Sequence, residues 1–282
     1  MFTLRQYLLA LLDSRGLTRT LGEIDVCRDE QGRPCFSAGN SAAVFRIRLG
    51  GRIRSLRCYL RPMRHLKEIY GQRLLEKELY LHTSPETGVW VDTVLGDWIE
   101  GSTLHETVAQ AAALRDRESL QILVRLFDRL ALALVTDDRA HGDLKPENII
   151  VGDDGTLCPI DFDASYLPAF AGEISPELGT AAYQHPARTA ADFDERIDDY
   201  PAALISTALH ALAEDPTLWD RYGSSDGLLY TPQRIASDPA YRETLALFEK
   251  RGMAVQYRIA QLLTAPTLRL FRSEEHTSEL QS

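Results

Sequence analysis

The chain has 282 residues, with 31 Lys and Arg against 41 Asp and Glu, a net charge of −10 and a pI near 5.2. That acidic balance argues against a broad nucleic-acid-coating surface, and 44% hydrophobic with 26% charged residues is the composition of a soluble globular chain of one large domain or two lobes. Cys27, Cys35, Cys58 and Cys158 form no CxxC pair and no ligand-spaced cluster, which predicts reduced thiols in a cytoplasmic setting rather than a disulfide frame or a zinc site.

In chain order, residues 1–22 open with Leu4, Leu8, Leu11 and Leu12 at helical spacing, which predicts an amphipathic helix packed on the domain behind it. The run is too short for a signal-peptide core, and no stretch approaches a membrane span of ~20 apolar residues. From Glu23 to Leu60 the pattern is β: Val44 to Leu49 alternates, Gly50-Gly51 makes a hairpin turn, and Ile53 to Leu60 returns. Pro62 ends that strand, Arg64 to Leu75 reads as helix, and Leu79–Leu81 with Val89–Ile99 reads as a further hairpin. From Leu104 onward helices dominate, the longest from about Glu118 to Val135. The expected organisation is therefore an N-terminal helix (1–22), a β-rich part (23–100) and a mostly helical part (101–271). Residues 272–282 look like the in-frame translation of a DNA sequencing adapter, an artefact excluded from fold reasoning. On that reading the natural chain continues past Phe271, into what can include a further domain.

The chemistry concentrates after the long helix. His141-Gly142-Asp143-Leu144-Lys145-Pro146-Glu147-Asn148 is followed by a Gly-bearing turn and then Ile160-Asp161-Phe162-Asp163. Asp143, Lys145, Asn148 and Asp161 lie on one loop and the end of the next short strand, close enough to converge. Phosphoryl transfer needs a carboxylate to orient a hydroxyl, oxygen ligands for Mg²⁺ and a cation for the moving charge. Those are the residue types present.

This run resembles the catalytic loop and Asp-Phe-Gly segment of the eukaryotic-like protein kinase superfamily. Downstream, Gly179-Thr180-Ala181-Ala182-Tyr183-Gln184-His185-Pro186-Ala187 is similar to the end of a kinase activation segment, with Ala187 where the family has Glu. Asp198-Asp199-Tyr200 resembles the buried Asp that opens the large helix under the catalytic loop, an anchor rather than a reacting group. Upstream, Val94 to Leu104 looks like the inter-lobe hinge. The resemblance implies an α+β, two-lobed protein kinase-like fold: a five-stranded antiparallel N-lobe sheet with one helix, then a mostly helical C-lobe, with ATP in the cleft.

Carried over residue by residue, the resemblance makes Asp143 the catalytic base, Lys145 the cation and Asn148 with Asp161 the Mg²⁺ ligands. The backbones of Asp97 and Ile99 would meet the adenine, with Gly96 at the position that opens a pocket behind it. Ser37-x-Gly39-x-x-Ala42-x-Val44 is in register with the glycine loop but keeps only Gly39 and Val44, leaving the amides around Gly39 and Asn40 to approach phosphates. Arg57 stands where the family has its phosphate-positioning Lys, a swap that is not conservative. Its carboxylate partner is Glu68 if the helix is short and Glu76 if it runs on; Glu68 is favoured, because Leu79 onward reads as strand. Asp163 is either an extra carboxylate near the metal or a turn cap, and His141 a structural residue. Gly142, in place of the family's Arg, removes the pocket that reads activation-loop phosphate.

Three functions follow. The first is a protein Ser/Thr kinase-like phosphotransferase using ATP and Mg²⁺ on a protein acceptor. The second is a pseudokinase scaffold, with or without bound nucleotide, suggested by Arg57, the thinned glycine loop and Ala187. The third is a small-molecule kinase of the aminoglycoside or choline type, suggested by His-Gly-Asp-Leu and Ile-Asp-Phe-Asp.

Overall fold

Thr3 and Gln6 form a reciprocal capping box that starts α1 (Leu4–Leu12), whose buried side chains Tyr7, Ala10 and Leu11 pack into an apolar core. The computed structural model describes residues 1–225 and 227–267; the adapter-like segment 272–282 lies outside them, as do residues 268–271 of the expected helical part. The chain divides into two compact units, Met1–Ile99 and Glu100–Ser282.

In the first unit, β1 (Asp25–Val26), β2 (Phe36–Ala38), β3 (Ala42–Leu49), β4 (Arg52–Tyr59), β5 (Leu74–His82) and β6 (Gly88–Asp97) form one antiparallel sheet. Its order is β1-β3-β4-β6-β5, with the short β2 also on β3, so it has six strands where five were expected. Period-two alternation sends Ala43, Phe45, Ile47, Leu56 and Cys58 to one face, where they join Tyr7 and Leu11 of α1 and Leu79 and Leu81 of β5. Each large apolar side chain buried there contributes about 1.5–3 kcal/mol. Tyr7 can be buried because its hydroxyl donates to the Tyr59 carbonyl at 2.6 Å.

A second anchor is polar. Glu78 is buried, and its carboxylate accepts from the backbone amides of Arg19 (3.1 Å), Thr20 (2.8 Å) and Leu21 (2.8 Å) and from the Thr20 hydroxyl (2.6 Å). The segment after α1 is thereby fastened to β5, with the charge met by four donors.

The helix expected over Arg64–Leu75 is shorter. Only α2 (Leu66–Tyr70) and one 3-10 turn, Gly71–Arg73, are helical. Gly71, at φ +53°, caps α2 and breaks it from the 3-10 turn, and Leu74 and Leu75 already pair with Val94 and Thr93. The strand therefore starts five residues before Leu79, with an irregularity between Leu75 and Leu79 that includes Lys77 at φ +52°.

The second unit begins with β7 (Gly101–Thr103), α3 (Leu104–Ala113) and α4 (Arg117–Thr136). Thr103 and Glu106 cap α3 reciprocally, and the Asp116 side chain accepts from the Ser119 amide to start α4. β8 (Ile149–Gly152) and β9 (Leu157–Pro159) complete a three-stranded sheet in the order β7-β8-β9. α5 (Asp199–Glu214), α6 (Leu218–Tyr222), α7 (Pro239–Arg251) and α8 (Ala254–Leu262) follow. α5 is apolar nearly all round and buried, with Leu204, Ile205 and Leu209 in one core with Leu123 and Phe127 of α4 and Phe248 of α7. The architecture is α+β, an antiparallel sheet with several helices, and is compatible with a kinase-like fold. Among the described residues no helix is long and apolar enough to cross a membrane.

Candidate active site

The second unit builds its candidate site from one loop and one hairpin. After α4 the chain pairs Ala140 with Tyr166, and Asn148 is held in a 3-10 turn opened by Pro146. β8 and β9 then pair antiparallel with Ile149 opposite Pro159, and the Ile160 amide donates to the Asn148 carbonyl at 2.8 Å. That register sets Asn148 beside Ile160 and Asp161. Thirteen residues of separation collapse to neighbouring strand ends.

Asp143 is the centre of the hydrogen bonding. Its Oδ1 accepts from the Thr180 amide at 2.5 Å, and its Oδ2 accepts from Asn148 Nδ2 at 3.2 Å and lies 3.5 Å from Lys145 Nζ. Lys145 Nζ also donates to Thr180 Oγ1 at 2.9 Å, and Asn148 Nδ2 to the Asp143 carbonyl at 2.9 Å. Asp143, Lys145, Asn148 and Thr180 therefore form one bonded set. Thr180 is the member that sequence reasoning left out of the site, although the Gly-Thr pair was its signal. Gly179 makes the approach possible. It sits at φ +70°, and a Cβ there would lie 2.7 Å from the Gly142 carbonyl and 3.0 Å from Asp143 Oδ1.

The loop is fixed from below. Asp198, buried at the start of α5, accepts from the Gly142 amide at 3.0 Å and from the His141 amide in a shorter bond. Burial pushes its carboxyl up from the ordinary range, while the two amide donors and Arg188 pull against that shift. His141 is buried, its Nε2 is 2.8 Å from the Ile160 carbonyl, and its Nδ1 accepts from the Asp143 amide at 3.4 Å. Its ring packs on Phe162 at 5.0 Å. This pattern suits the neutral Nε2–H tautomer, a tie between loop and hairpin. Gly142 is required sterically: at φ +80°, a Cβ would fall 2.0 Å from the Ala164 carbonyl oxygen.

Asp161 occupies the left-handed region at φ +68°, uncommon for a residue with a side chain, at the entry to the 3-10 turn Phe162–Ala164. Asp163 lies buried within that turn. For a metal, the relevant feature is Asn148: it is buried and spends its NH₂ on Asp143, while its Oδ1 accepts no hydrogen bond among the described residues. An amide oxygen and a nearby carboxylate fit Mg²⁺, which takes one or two protein oxygens alongside phosphate. Among the described residues no group of three or more His, Cys, Asp or Glu is placed to hold a metal.

The candidate residues of the first unit are placed by register and turn. Gly39 and Asn40 lie in the turn between β2 and β3, closed by the Gly39 amide on the Ala42 carbonyl at 2.9 Å. Val44 is directly opposite Arg57, on the face away from the apolar core, and the Arg57 guanidinium lies 5.9 Å from the Tyr59 ring centre. Glu68 is exposed on α2; Glu76 is exposed on β5, 3.7 Å from Lys67, and so belongs to no helix. Asp97 ends β6 opposite Arg54, which bonds its carboxylate at 3.2 Å, and Ile99 follows beyond the strand. The Ser55 hydroxyl fills the space beside Gly96, 2.7 Å from where a Cβ would sit, and donates to the Asp97 carbonyl at 3.1 Å.

No family model matches the chain. It is 28% identical over 172 residues to "CBL-interacting protein kinase 17" of Oryza sativa subsp. japonica, covering 58% of this chain and 35% of that protein. It is 34% identical over 113 residues to "Serine/threonine-protein kinase PknL" of Mycobacterium tuberculosis, covering 38% and 27%. Over 160 residues it is 25% identical to "Serine/threonine-protein kinase chk1" of Schizosaccharomyces pombe, covering 55% and 31%. The chain thus spans between 27% and 35% of the length of these curated relatives. These similarities support a protein kinase-like superfamily and a kinase-like function.

Proposed function

We propose that the chain is a protein Ser/Thr kinase-like phosphotransferase that moves the γ-phosphoryl group of ATP to a hydroxyl acceptor. The observation that carries this reading is the bonded set Asp143–Lys145–Asn148–Thr180, built within the second unit around a carboxylate. Asp143, held by the Thr180 amide and the Asn148 NH₂, orients the acceptor hydroxyl and takes its proton as the new O–P bond forms and the bond from the γ-phosphorus to the β–γ bridging oxygen breaks, releasing ADP. Lys145, kept beside that carboxylate by Thr180, offsets the negative charge of the transferring group. Mg²⁺ would be held by Asn148 Oδ1 and the Asp161 carboxylate and would supply charge neutralisation on the phosphates. The relatives named as Ser/Thr protein kinases and the Gly179-Thr180 segment on the base favour a protein acceptor over a small molecule.

Two measurements on the full chain test it. Thermal unfolding with ATP should show a rise in Tm that needs Mg²⁺ and disappears in Asp161→Asn. Phosphoryl transfer to a generic protein acceptor should fall about 10³-fold in Asp143→Asn, the scale of a lost general base, with the Mg²⁺-ATP shift in Tm retained. Binding without transfer would make the chain a nucleotide-binding scaffold. No binding at millimolar ATP would overturn the reading.

A further inference from the structure

One edge of the first unit's sheet carries a closed ring of backbone hydrogen bonds. The Cys27 amide donates to the Arg46 carbonyl at 2.9 Å, the Arg46 amide to the Cys35 carbonyl at 2.9 Å, and the Cys35 amide to the Cys27 carbonyl at 2.8 Å. β1 and β2 thus meet β3 at one residue, and the 28–34 loop leaves the sheet between them. Within that loop Arg28 pairs with Pro34, and the Asp29 amide donates to the Arg33 carbonyl at 2.9 Å. This register sets Cys27 directly opposite Cys35 at the neck of the loop. Opposed residues of a hydrogen-bonded antiparallel pair stand about 5.5 Å apart at Cα, inside the span of about 4.4–6.8 Å that a disulfide bridges.

The two side chains also share a face. Val26 is opposite Ile47, both buried in the core, and Phe36 is opposite the core residue Phe45, whose ring it meets at 5.4 Å. Alternation therefore turns Cys27, which follows Val26, and Cys35, which precedes Phe36, to the other side of the sheet. Both are reduced thiols, half-buried and open to a small reagent. The loop they flank is braced in itself: Asp29 Oδ1 accepts from the Gln31 and Arg33 amides at 2.9 Å, and Oδ2 from Arg33 Nε at 2.8 Å. The neck is thus held closed before any sulfur–sulfur bond exists, and bond formation has little chain entropy left to overcome. The other two cysteines are placed otherwise, Cys58 buried in the core and Cys158 on β9 of the second unit.

We propose that Cys27 and Cys35 are a redox modification site, forming a reversible intrachain disulfide that ties β1 to β2 at the neck of the 28–34 loop. The oxidant is a small disulfide of the glutathione class. One cysteine, as its thiolate, attacks a sulfur of that disulfide and expels one thiolate. The second then attacks the mixed disulfide, forms the Cys27–Cys35 bond and expels the other. The two leaving thiolates take up the two protons that the cysteines lose, so one disulfide is reduced as another forms. Excess reduced thiol runs the same steps backwards and reopens the bond. Its mechanical effect falls on β2, whose three residues are all exposed and which runs into the turn at Gly39 and Asn40.

The test equilibrates the full, folded chain with mixtures of reduced and oxidised glutathione, blocks the remaining thiols by alkylation and maps tryptic peptides by mass spectrometry. Because Arg33-Pro34 resists trypsin, the bond joins peptide 20–28 to peptide 29–46. The expected result is that linked pair, in a fraction that rises with the oxidised share, disappears with dithiothreitol and is the same in Cys158→Ser. Cys27→Ser and Cys35→Ser should each abolish the link and leave a glutathione adduct on the remaining thiol. Oxidation should slow hydrogen exchange at residues 36–38 at least tenfold and leave β8 and β9 unchanged. Adducts on Cys27 and Cys35 without the link, a link that forms only in denaturant, or a linked chain with unchanged exchange at 36–38 overturns the proposal.

Discussion

Residues 1–99 hold 15 Lys and Arg against 11 Asp and Glu, a net of +4, whereas residues 100–282 hold 16 against 30, a net of −14. Both units nevertheless use the same polar device, a buried carboxylate collecting backbone amides. Glu78 fastens the segment after α1 to the sheet, while Asp198 fastens the loop that carries Asp143. The difference lies in what is held. In the first unit the device stabilises scaffold, and the candidate nucleotide residues are placed by strand register and a turn. In the second it stabilises the site itself, whose members bond to one another. A change of side chain should therefore be tolerated better at Arg57 or Ala42 than at Gly142 or Asp198.

The sharpest way to break this comparison is at Asp198. Asp198→Ala leaves the His141 and Gly142 amides buried without an acceptor, at about 1–3 kcal/mol each. We expect a loss of about 3 kcal/mol in chemical denaturation and loss of phosphoryl transfer, because the loop below Asp143 is released. Stability lost with transfer intact would show that the loop holds its shape from the Asp143–Thr180 bonds alone.

Glu78→Gln is the counterpart in the first unit. The substitution keeps one acceptor oxygen but turns an NH₂ toward amide donors, so we expect a loss of about 2 kcal/mol. Hydrogen exchange should localise the effect to residues 17–24 and β5, with protection around Asp143 unchanged. Spread of the effect to residues 141–148 would mean that the two devices are not independent.

How much of this was legible follows from the range of each interaction. Asp143, Lys145 and Asn148 sit within six residues, so spacing alone brought these three together, while Asp161 follows one hairpin later. Thr180 joins them across 37 positions, which no local pattern reports. The helix over Arg64–Leu75 was misread because Leu74 and Leu75 suit either a helix or a strand; the pairing with β6 and the positive φ of Gly71 decided it. Glu78 gave a faint signal, a charge next to Leu79 in an apolar strand, but its partners at Arg19–Leu21 are set by tertiary structure.

Arg57 tests the first unit's share of the proposed function. It lies opposite Val44, on the face away from the apolar core. Arg57→Ala should weaken Mg²⁺-ATP binding about three- to tenfold by calorimetry, roughly 1 kcal/mol, without changing the pH dependence of transfer. An unchanged affinity would show that Arg57 takes no part in nucleotide binding.

The smallest expected effect is a pH dependence within the acidic unit. Asp128 on α4 accepts from Ser206 (2.8 Å) and pairs with His210 (2.9 Å), both on α5, and so links the two central helices. Partial burial works to raise its carboxyl pKa, but the bonds from His210 and Ser206 outweigh that and hold it below the usual value. A carboxyl whose folded pKa is lowered stabilises the fold above its unfolded value, near 4, and the contribution disappears as pH falls through the folded pKa. Because the Asp128 side chain is 43% exposed, solvent screening keeps the effect below about 1 kcal/mol. Denaturation of the wild type and Asp128→Asn should thus differ at pH 7 and converge toward pH 3. A difference that persists at pH 3 would assign the link between α4 and α5 to packing around Phe127 and Leu204 rather than to this charge.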